Sequence, residues 1–359
     1  MTEIMNTPVT DATAWGGEIQ DDPSWRVHLG AAEQAALTDG LKAVQAKGLS
    51  VPLMRAEDFP IGEALRPVLD RIGHDTKDGR GFVLLHGFPI EGFTVDEIRM
   101  MYWGISLHLG TCISQDGRGS LVADVMDRNQ VKTPLTRAYG SKRESKLHVD
   151  LADVVGLLCV RQSAMGGMTT LASSMTVFNQ FLAKHPEFLP MLFEGFQWDR
   201  FGEHGKGEAA SSPQPIPIFS AAGGQLSCRY NRSWITGSFA RANRTMTNAE
   251  TAMFEFFDEV AERNRIEFTL QPGDVYFASN YTVLHGKTAQ EEPSAEETAK
   301  RLLLRVWYNV PGFRRFAQEN VRYGLSSHGN LGWTSEEMLT RTHLVPGAER
   351  KLYRVPEAA

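Results

Sequence analysis

Cysteine is scarce in this chain, with three among 359 residues. Cys112, Cys159 and Cys228 are scattered and form no C-x-x-C pair. Neither a disulfide framework nor a structural zinc site is indicated, and the three are expected to be reduced, buried packing residues. A long uncharged apolar run is missing as well, and the opening stretch MTEIMNTPVTDATAWGGEIQ has no basic segment followed by an apolar one. Neither a membrane span nor an export signal is expected, which points to a soluble, cytoplasmic protein. There is no excess of positive charge either: Lys and Arg number 37 against 43 Asp and Glu, for a formal charge of −6. That balance speaks against nucleic acid as a partner and for a small molecule. No repeat or low-complexity tract is visible, and Gly and Pro are spread along the chain instead of marking a linker. One large core, and so one structural domain overall, is the expectation.

What is present is an alternation of helical and extended patterns. Ala31 to Ala46 has helix-forming composition, and Thr94 to Leu107 has helical periodicity opened by a capping box of Thr94 and Glu97. GFVLL, from Gly81 to Leu85, reads as a buried strand. Asp127 to Lys146 is polar and basic without a core-facing period and reads as a loop that could close as a lid. Asp153 to Val160 reads as a strand buried on both faces, and a Gly-Gly turn then leads into Thr169 to Ser173 and a helix from Thr176 to Lys184. The Pro-rich stretch from His204 to Gly224 reads as irregular. Asn248 to Arg263 is a helix with Met253, Phe256, Phe257 and Val260 on its apolar face. Short strands are expected over Ile266 to Leu270, Asp274 to Ala278 and Leu302 to Val310. Such a chain fits a double-sheet β fold supported by helices.

Chemistry enters with KLHVDL, Lys146 to Leu151. In extended backbone His148 and Asp150 project from one face, so both can reach one ion. Imidazole and carboxylate suit Fe(II), and one further His would leave three positions open for substrate and O₂. His285, behind a Pro-Gly turn and a short apolar strand in QPGDVYFASNYTVLHGK, is the best candidate; the glycine after it would let backbone pass close to a ligand. Alone, an H-x-D pair is as well explained by exposed loop residues or a His-Asp hydrogen bond. In RLLLRVWYN, Arg301, Leu303, Arg305 and Trp307 alternate with Leu302, Leu304, Val306 and Tyr308. Two arginines on one face of an apolar strand are either structural ion pairs or a clamp for ligand carboxylates. The remaining histidines offer less: His74 and Asp75 read as strand neighbours on opposite faces, and His86, His108 and His204 have no carboxylate at ligand spacing. Tyr230, Asn231 and Trp234 in SCRYNRSWITGS could line the pocket, but buried strand packing explains the aromatic pair as well, and they are not counted as site residues.

The ordered set H-V-D, GGMTTLASS, GDVYFASNYTVLHGK and RLLLR resembles the taurine dioxygenase and clavaminate synthase-like family of Fe(II)/2-oxoglutarate oxygenases, over roughly Gly81 to Asn309. The resemblance implies a mainly β fold with flanking helices, built on a double-stranded β-helix, a jelly-roll or cupin-like core. It implies segments of 1–80 packing on the core, 81–315 forming the oxygenase barrel with helical insertions, and 316–359 as a C-terminal extension. By position it makes His148, Asp150 and His285 the catalytic iron ligands, with Fe(II), 2-oxoglutarate and O₂ as cofactor and cosubstrates. Thr169 and Arg301 would bind the distal carboxylate of 2-oxoglutarate, with Thr170 the alternative to Thr169, and Arg305 would bind an acidic substrate group. Retention of Asp150 argues against halogenation, so hydroxylation of a small acidic molecule is the expected outcome. Two other classes stay open at this point: a non-enzymatic sensor that binds metal and 2-oxoglutarate, and an O₂-independent metal hydrolase or isomerase on the same barrel. A homo-oligomer is compatible with the sequence.

Overall fold

Alternation along RLLLRVWYN becomes the division of the core. The computed structural model of the chain describes residues 4–116, 119–127, 141–202, 204, 209–292, 296, 299–314 and 334–336. In chain order the elements are β1 (Arg26–His28), α1 (Ala31–Ala46), α2 (Gly62–Lys77), β2 (Phe82–His86), α3 (Val95–Leu109), β3 (Thr111–Ile113), β4 (Val122–Val125) and β5 (Ser145–His148). They continue with β6 (Val154–Arg161), β7 (Met165–Gly166), β8 (Thr169–Ser173), α4 (Ser174–Lys184), α5 (Leu189–Glu194), β9 (Phe219–Ala222), β10 (Gln225–Cys228), α6 (Arg232–Arg241) and α7 (Asn248–Arg263). The last are β11 (Ile266–Phe268), β12 (Val275–Ser279), β13 (Val283–Lys287), β14 (Gln290–Glu291) and β15 (Leu302–Asn309).

The larger sheet runs β1-β2-β12-β6-β15-β3, with β4 also on β15, and the smaller runs β11-β8-β13-β5. Each central strand of the larger sheet is apolar on both faces. Leu302, Leu304, Val306 and Tyr308 of β15, with Val154, Leu158 and Val160 of β6, pack in one cluster with residues of α1, α2 and α3. Leu303 and Trp307, with Val155, Leu157 and Cys159, face the other way, into the cluster shared with the smaller sheet, α4 and α7. Two sheets face to face with helices outside give the jelly-roll core expected from the strand count and patterning. N-terminal residues join this packing directly: Trp15 and Trp25 both lie against Phe82 of β2. The three cysteines are free and buried; burial pushes the thiols of Cys159 and Cys228 up to about 12, which keeps them protonated and inert.

Helix ends follow local chemistry. Thr94 caps α3 in a box with Glu97, as its T-x-x-E spacing predicts, and Thr247 with Glu250 does the same for α7. Several expectations need correction. α2 covers a stretch read without a helix, and it carries His74 and Asp75, which are therefore helical neighbours and not strand residues; Asp75 pairs with Arg71 one turn back. On α7 it is Phe254, not Phe256, that joins Met253, Phe257 and Val260 in the buried face. The region read as irregular up to Gly224 holds β9, paired with β10. The basic loop ends earlier than Lys146, because β5 begins at Ser145. Residues 128–140 of that loop, most of 293–298 and, apart from 334–336, the C-terminal extension after 314 lie outside the described residues. Among the described residues no helix is long and apolar enough to cross a membrane.

Candidate metal and cosubstrate site

Register across the smaller sheet brings the first two histidines together. β13 pairs antiparallel with β5 so that His285 stands opposite His148, and their rings lie 4.6 Å apart. Just beyond the end of β5, Asp150 turns its carboxylate between them: Oδ1 is 3.8 Å from His148 Nε2 and Oδ2 is 3.5 Å from His285 Nε2. One ligand atom from each of the three lies within 4.8 Å of the others. The turn that places Asp150 is held by the backbone. Val149 N–H donates to Tyr230 O, Asp150 N–H donates to Asn280 Oδ1 (2.9 Å), and Asp150 O accepts from Arg229 Nη1 (2.6 Å). Arg229 also donates to the Tyr281 hydroxyl, which donates to buried Asp153.

The donor set fits a divalent ion. His148 Nδ1 is bonded to Lys146 O at 2.8 Å, which fixes the ring so that the Nε2 lone pair faces Asp150. Burial, followed by the neighbouring His285 ring, pushes the His148 imidazolium pKa down to about 4, so the ring is a neutral ligand at physiological pH. For Asp150 burial works to raise the pKa, but the Arg305 guanidinium and the hydrogen bond and charge of His285 hold it well below the ordinary carboxylate range. Two imidazoles and one carboxylate thus converge on one point. That is the donor set of a facial site with open positions.

Two residues of β15 grip the same carboxylate. Trp307 Nε1–H donates to Asp150 Oδ2 at 2.8 Å, and Arg305 Nη1 lies 3.3 Å from it. Arg305 is oriented in turn by Gln115 Oε1, at 2.7 Å from its Nε. With Oδ2 engaged, Oδ1 is the oxygen left facing His148. Sequence reasoning put Trp307 on the arginine face but gave it no role; the signal available was its place two residues after Arg305. Trp307→Phe, which deletes only the N–H contact and part of the ring, is expected to weaken Fe(II) or Co(II) binding by about 10-fold in equilibrium dialysis. Unchanged affinity would mean that the indole fills space without orienting the carboxylate.

A cavity of about 470 Å³ opens beside this cluster, lined by His148, Asp150, His285, Thr169, Arg301 and Arg305 among others. Val125, Leu157, Tyr276 and Leu303 of the larger sheet form its apolar wall. Asn231, Trp234 and Thr236 also border it. These are not strand residues as expected: β10 stops at Cys228, and Asn231 caps α6 by accepting from Trp234 N–H. Tyr230 points elsewhere, stacking on Phe257 and donating to Asp258. The signal missed was the N-cap spacing of Asn231 before a short helical run.

Thr169 and Thr170 separate cleanly. Along β13 the pairing with β8 is regular, with His285 opposite Leu171, Gly286 opposite Thr170 and Lys287 opposite Thr169. Strand alternation therefore puts Thr169 on the face of His285, and it lines the cavity, while Thr170 is on the other face. Gly286 borders the cavity, and a Cβ there would meet Ser145 O at 2.5 Å and Thr170 Oγ1 at 2.8 Å, so the glycine also lets three strands close up. Arg301 is buried, with Nε on Gln162 Oε1 (2.9 Å) and Nη2 on Gly167 O (3.3 Å). Gly166 and Gly167 adopt φ of 70° and 66°, and a Cβ on Gly167 would stand 3.2 Å from Arg301 Nε, so the Gly-Gly turn cradles the guanidinium. Of the other histidines, His86 does meet a carboxylate, Asp274, at 2.8 Å, but no third donor joins them among the described residues.

Comparison with known proteins gives the family and the fold. The model of the family described as taurine catabolism dioxygenase TauD, TfdA family matches residues 45–307, beginning well before Gly81, where the resemblance in the sequence starts. The FR-33289 synthase of Streptomyces rubellomurinus is 29% identical over 326 residues, covering 88% of this chain and 94% of that protein. A taurine hydroxylase-like protein of Stachybotrys chartarum is 24% identical, covering 92% of this chain and 89% of that one. Among solved structures, an asparagine oxygenase holding Fe(II), 3-hydroxyasparagine and succinate superposes with a TM-score of 0.61 at 14% identity, over 79% of this chain and 94% of that one. The non-haem iron oxygenase OrfP with Fe and α-ketoglutaric acid gives 0.57 at 15%, over 79% and 94%.

Proposed function

Because the chain belongs to the TauD/TfdA family of Fe(II)- and 2-oxoglutarate-dependent oxygenases, we propose that it hydroxylates a C–H bond of a small acidic molecule in the cavity beside His148, Asp150 and His285. Family membership makes it an oxygen-activating enzyme and sets aside the sensor and hydrolase readings. In this proposal His148, Asp150 and His285 hold the iron, and Thr169 with Arg301 hold the distal carboxylate of 2-oxoglutarate. The observation that carries the substrate class is the charge lining the cavity. Lys146, Arg232, Lys287, Arg301 and Arg305 border it against Glu144 and Asp150. The amide end of α6 adds its partial positive charge. The structural relatives whose complexes hold hydroxyasparagine, or hydroxylated L-Arg, also take small molecules with a carboxylate.

Bound iron and 2-oxoglutarate supply the activation of O₂, with succinate and CO₂ released as one oxygen atom enters the substrate. The chain's own residues set the geometry. Trp307 and Arg305 fix which oxygen of Asp150 faces the metal position, Arg301 and Thr169 orient the cosubstrate, and the apolar wall of Leu157, Tyr276 and Leu303 keeps water from the reacting carbon. Arg305, in contact with Asp150 and at the cavity wall, would meet the substrate's acidic group there, tying substrate position to the metal ligand.

Two threonine variants test the cosubstrate register. Thr169→Val is expected to raise the dissociation constant of 2-oxoglutarate about 5-fold, as loss of one hydrogen bond should, and Thr170→Val to leave it unchanged. The opposite pattern would assign the contact to Thr170. The substrate class is tested by screening carboxylates, sulfonates, phosphonates and neutral amides for substrate-dependent succinate release. Turnover confined to neutral compounds would overturn the acidic assignment.

A further inference from the structure

Lys287 has no individual role in the site as described so far. It sits at the end of β13, two residues past His285, and lies buried in the cavity wall. Because β13 pairs regularly with β8, Lys287 shares the face of His285 and is the direct register partner of Thr169. Two residues along a strand is about 7 Å, which is the reach of a five-carbon diacid whose other end lies at the metal ligands. Arg301 borders the same part of the cavity and is near enough to act on the Lys287 ammonium by repulsion.

Both cations are buried in the cavity wall, and among the described residues neither has a carboxylate within salt-bridge distance. Lys287 Nζ donates to Arg143 O at 2.5 Å, which uses one of its three N–H bonds. Glu292 and Asp127 act on it only at longer range. The Glu292 carboxylate is itself engaged, by the Arg301 backbone N–H at 2.8 Å and by Gln290 Nε2 at 2.5 Å. Burying two like charges in the wall of one cavity is costly without an anion to share.

We infer that Lys287 is a further contact for the distal carboxylate of 2-oxoglutarate, completing with Arg301 and Thr169 a clamp that grips that carboxylate from both sheets. The inference rests on the cosubstrate reading above and adds a positioning and specificity residue to it. Arg301 reaches in from the β15 side, Lys287 and Thr169 from the smaller sheet. The clamp therefore selects 2-oxo acids with a second carboxylate and ties the two sheets together when the cosubstrate binds.

The test compares 2-oxoglutarate with 2-oxopentanoate, which has the same chelating end and no distal carboxylate. Binding of each to anaerobic Fe(II) protein is followed by the visible band of the chelate or by calorimetry. The expected result is that Lys287→Met weakens 2-oxoglutarate by about 10-fold or more and leaves 2-oxopentanoate unchanged, while Lys287→Arg keeps most of the preference. If Lys287 only pins the Arg143 carbonyl, both acids change together or neither does, and the inference falls. Should Lys287→Met not fold, acetylation of the wild type read by peptide mass spectrometry puts the same question. 2-Oxoglutarate should shield Lys287 and 2-oxopentanoate should not; equal labelling with both contradicts the contact. A wild type that binds neither acid would instead overturn the cosubstrate reading itself.

Discussion

His148→Ala is expected to reduce succinate formation to background and to abolish stabilisation of the fold by metal. A ligand that binds only the folded state stabilises it by RT ln(1 + [L]/Kd), about 4 kcal/mol when metal is present at 1,000 times its Kd. The wild type should show that rise in thermal unfolding on adding Fe(II), or Co(II) as a redox-stable substitute, and His148→Ala should show none. Without metal the variant should unfold close to the wild type, because His148 packs at the cavity wall and, among the described residues, its side chain hydrogen-bonds to the Lys146 carbonyl alone. Equal metal stabilisation of both proteins would remove His148 from the ligand set.

Arg301→Ala is the second large effect, of a different kind. The guanidinium is buried on Gln162 and Gly167 and stands apart from the three metal ligands, which are held from β5, β13 and the turn after β5. Iron binding should therefore survive while the 2-oxoglutarate requirement rises by about 100-fold, the scale for losing a charge-assisted contact to a carboxylate. Part of that loss reflects the Gln162 and Gly167 oxygens left without their donor, so Arg301→Lys is the useful companion. It should recover some affinity but not the fork geometry. Normal cosubstrate dependence in Arg301→Ala would overturn its assignment.

Comparison of sequence and structure shows which physical signals carry information. α1 was legible from helix-forming composition, α3 from its capping box, α7 from its apolar spacing and β15 from alternation, which also put Arg301, Arg305 and Trp307 on one face, where Arg301 and Arg305 line the cavity and Trp307 meets Asp150. The His-x-Asp spacing suggested a shared ion, but that His285 meets His148 is a matter of strand register, which no local pattern encodes. α2 was missed where Pro67 lies inside the helix, a residue that reads as a break. At Tyr230 to Trp234 the aromatic content suggested a strand, whereas Asn231 opens a helix whose first turn faces the cavity. Gly286 borders the cavity, but that its missing side chain also makes room for Ser145 and Thr170 depends on strand pairing that no local pattern encodes. The Trp307 bond to Asp150 joins residues far apart in sequence, and only the packed strands bring them together.

The most direct measurement is anaerobic titration of metal-free protein with Fe(II) and then 2-oxoglutarate, watching for the weak visible charge-transfer band of the chelate. The expected result is a band that requires both components, saturates at one equivalent of iron and is absent from His148→Ala. A wild type that binds iron and 2-oxoglutarate by calorimetry without developing the band, or a His148→Ala variant that develops it fully, would contradict a cosubstrate chelated at His148, Asp150 and His285.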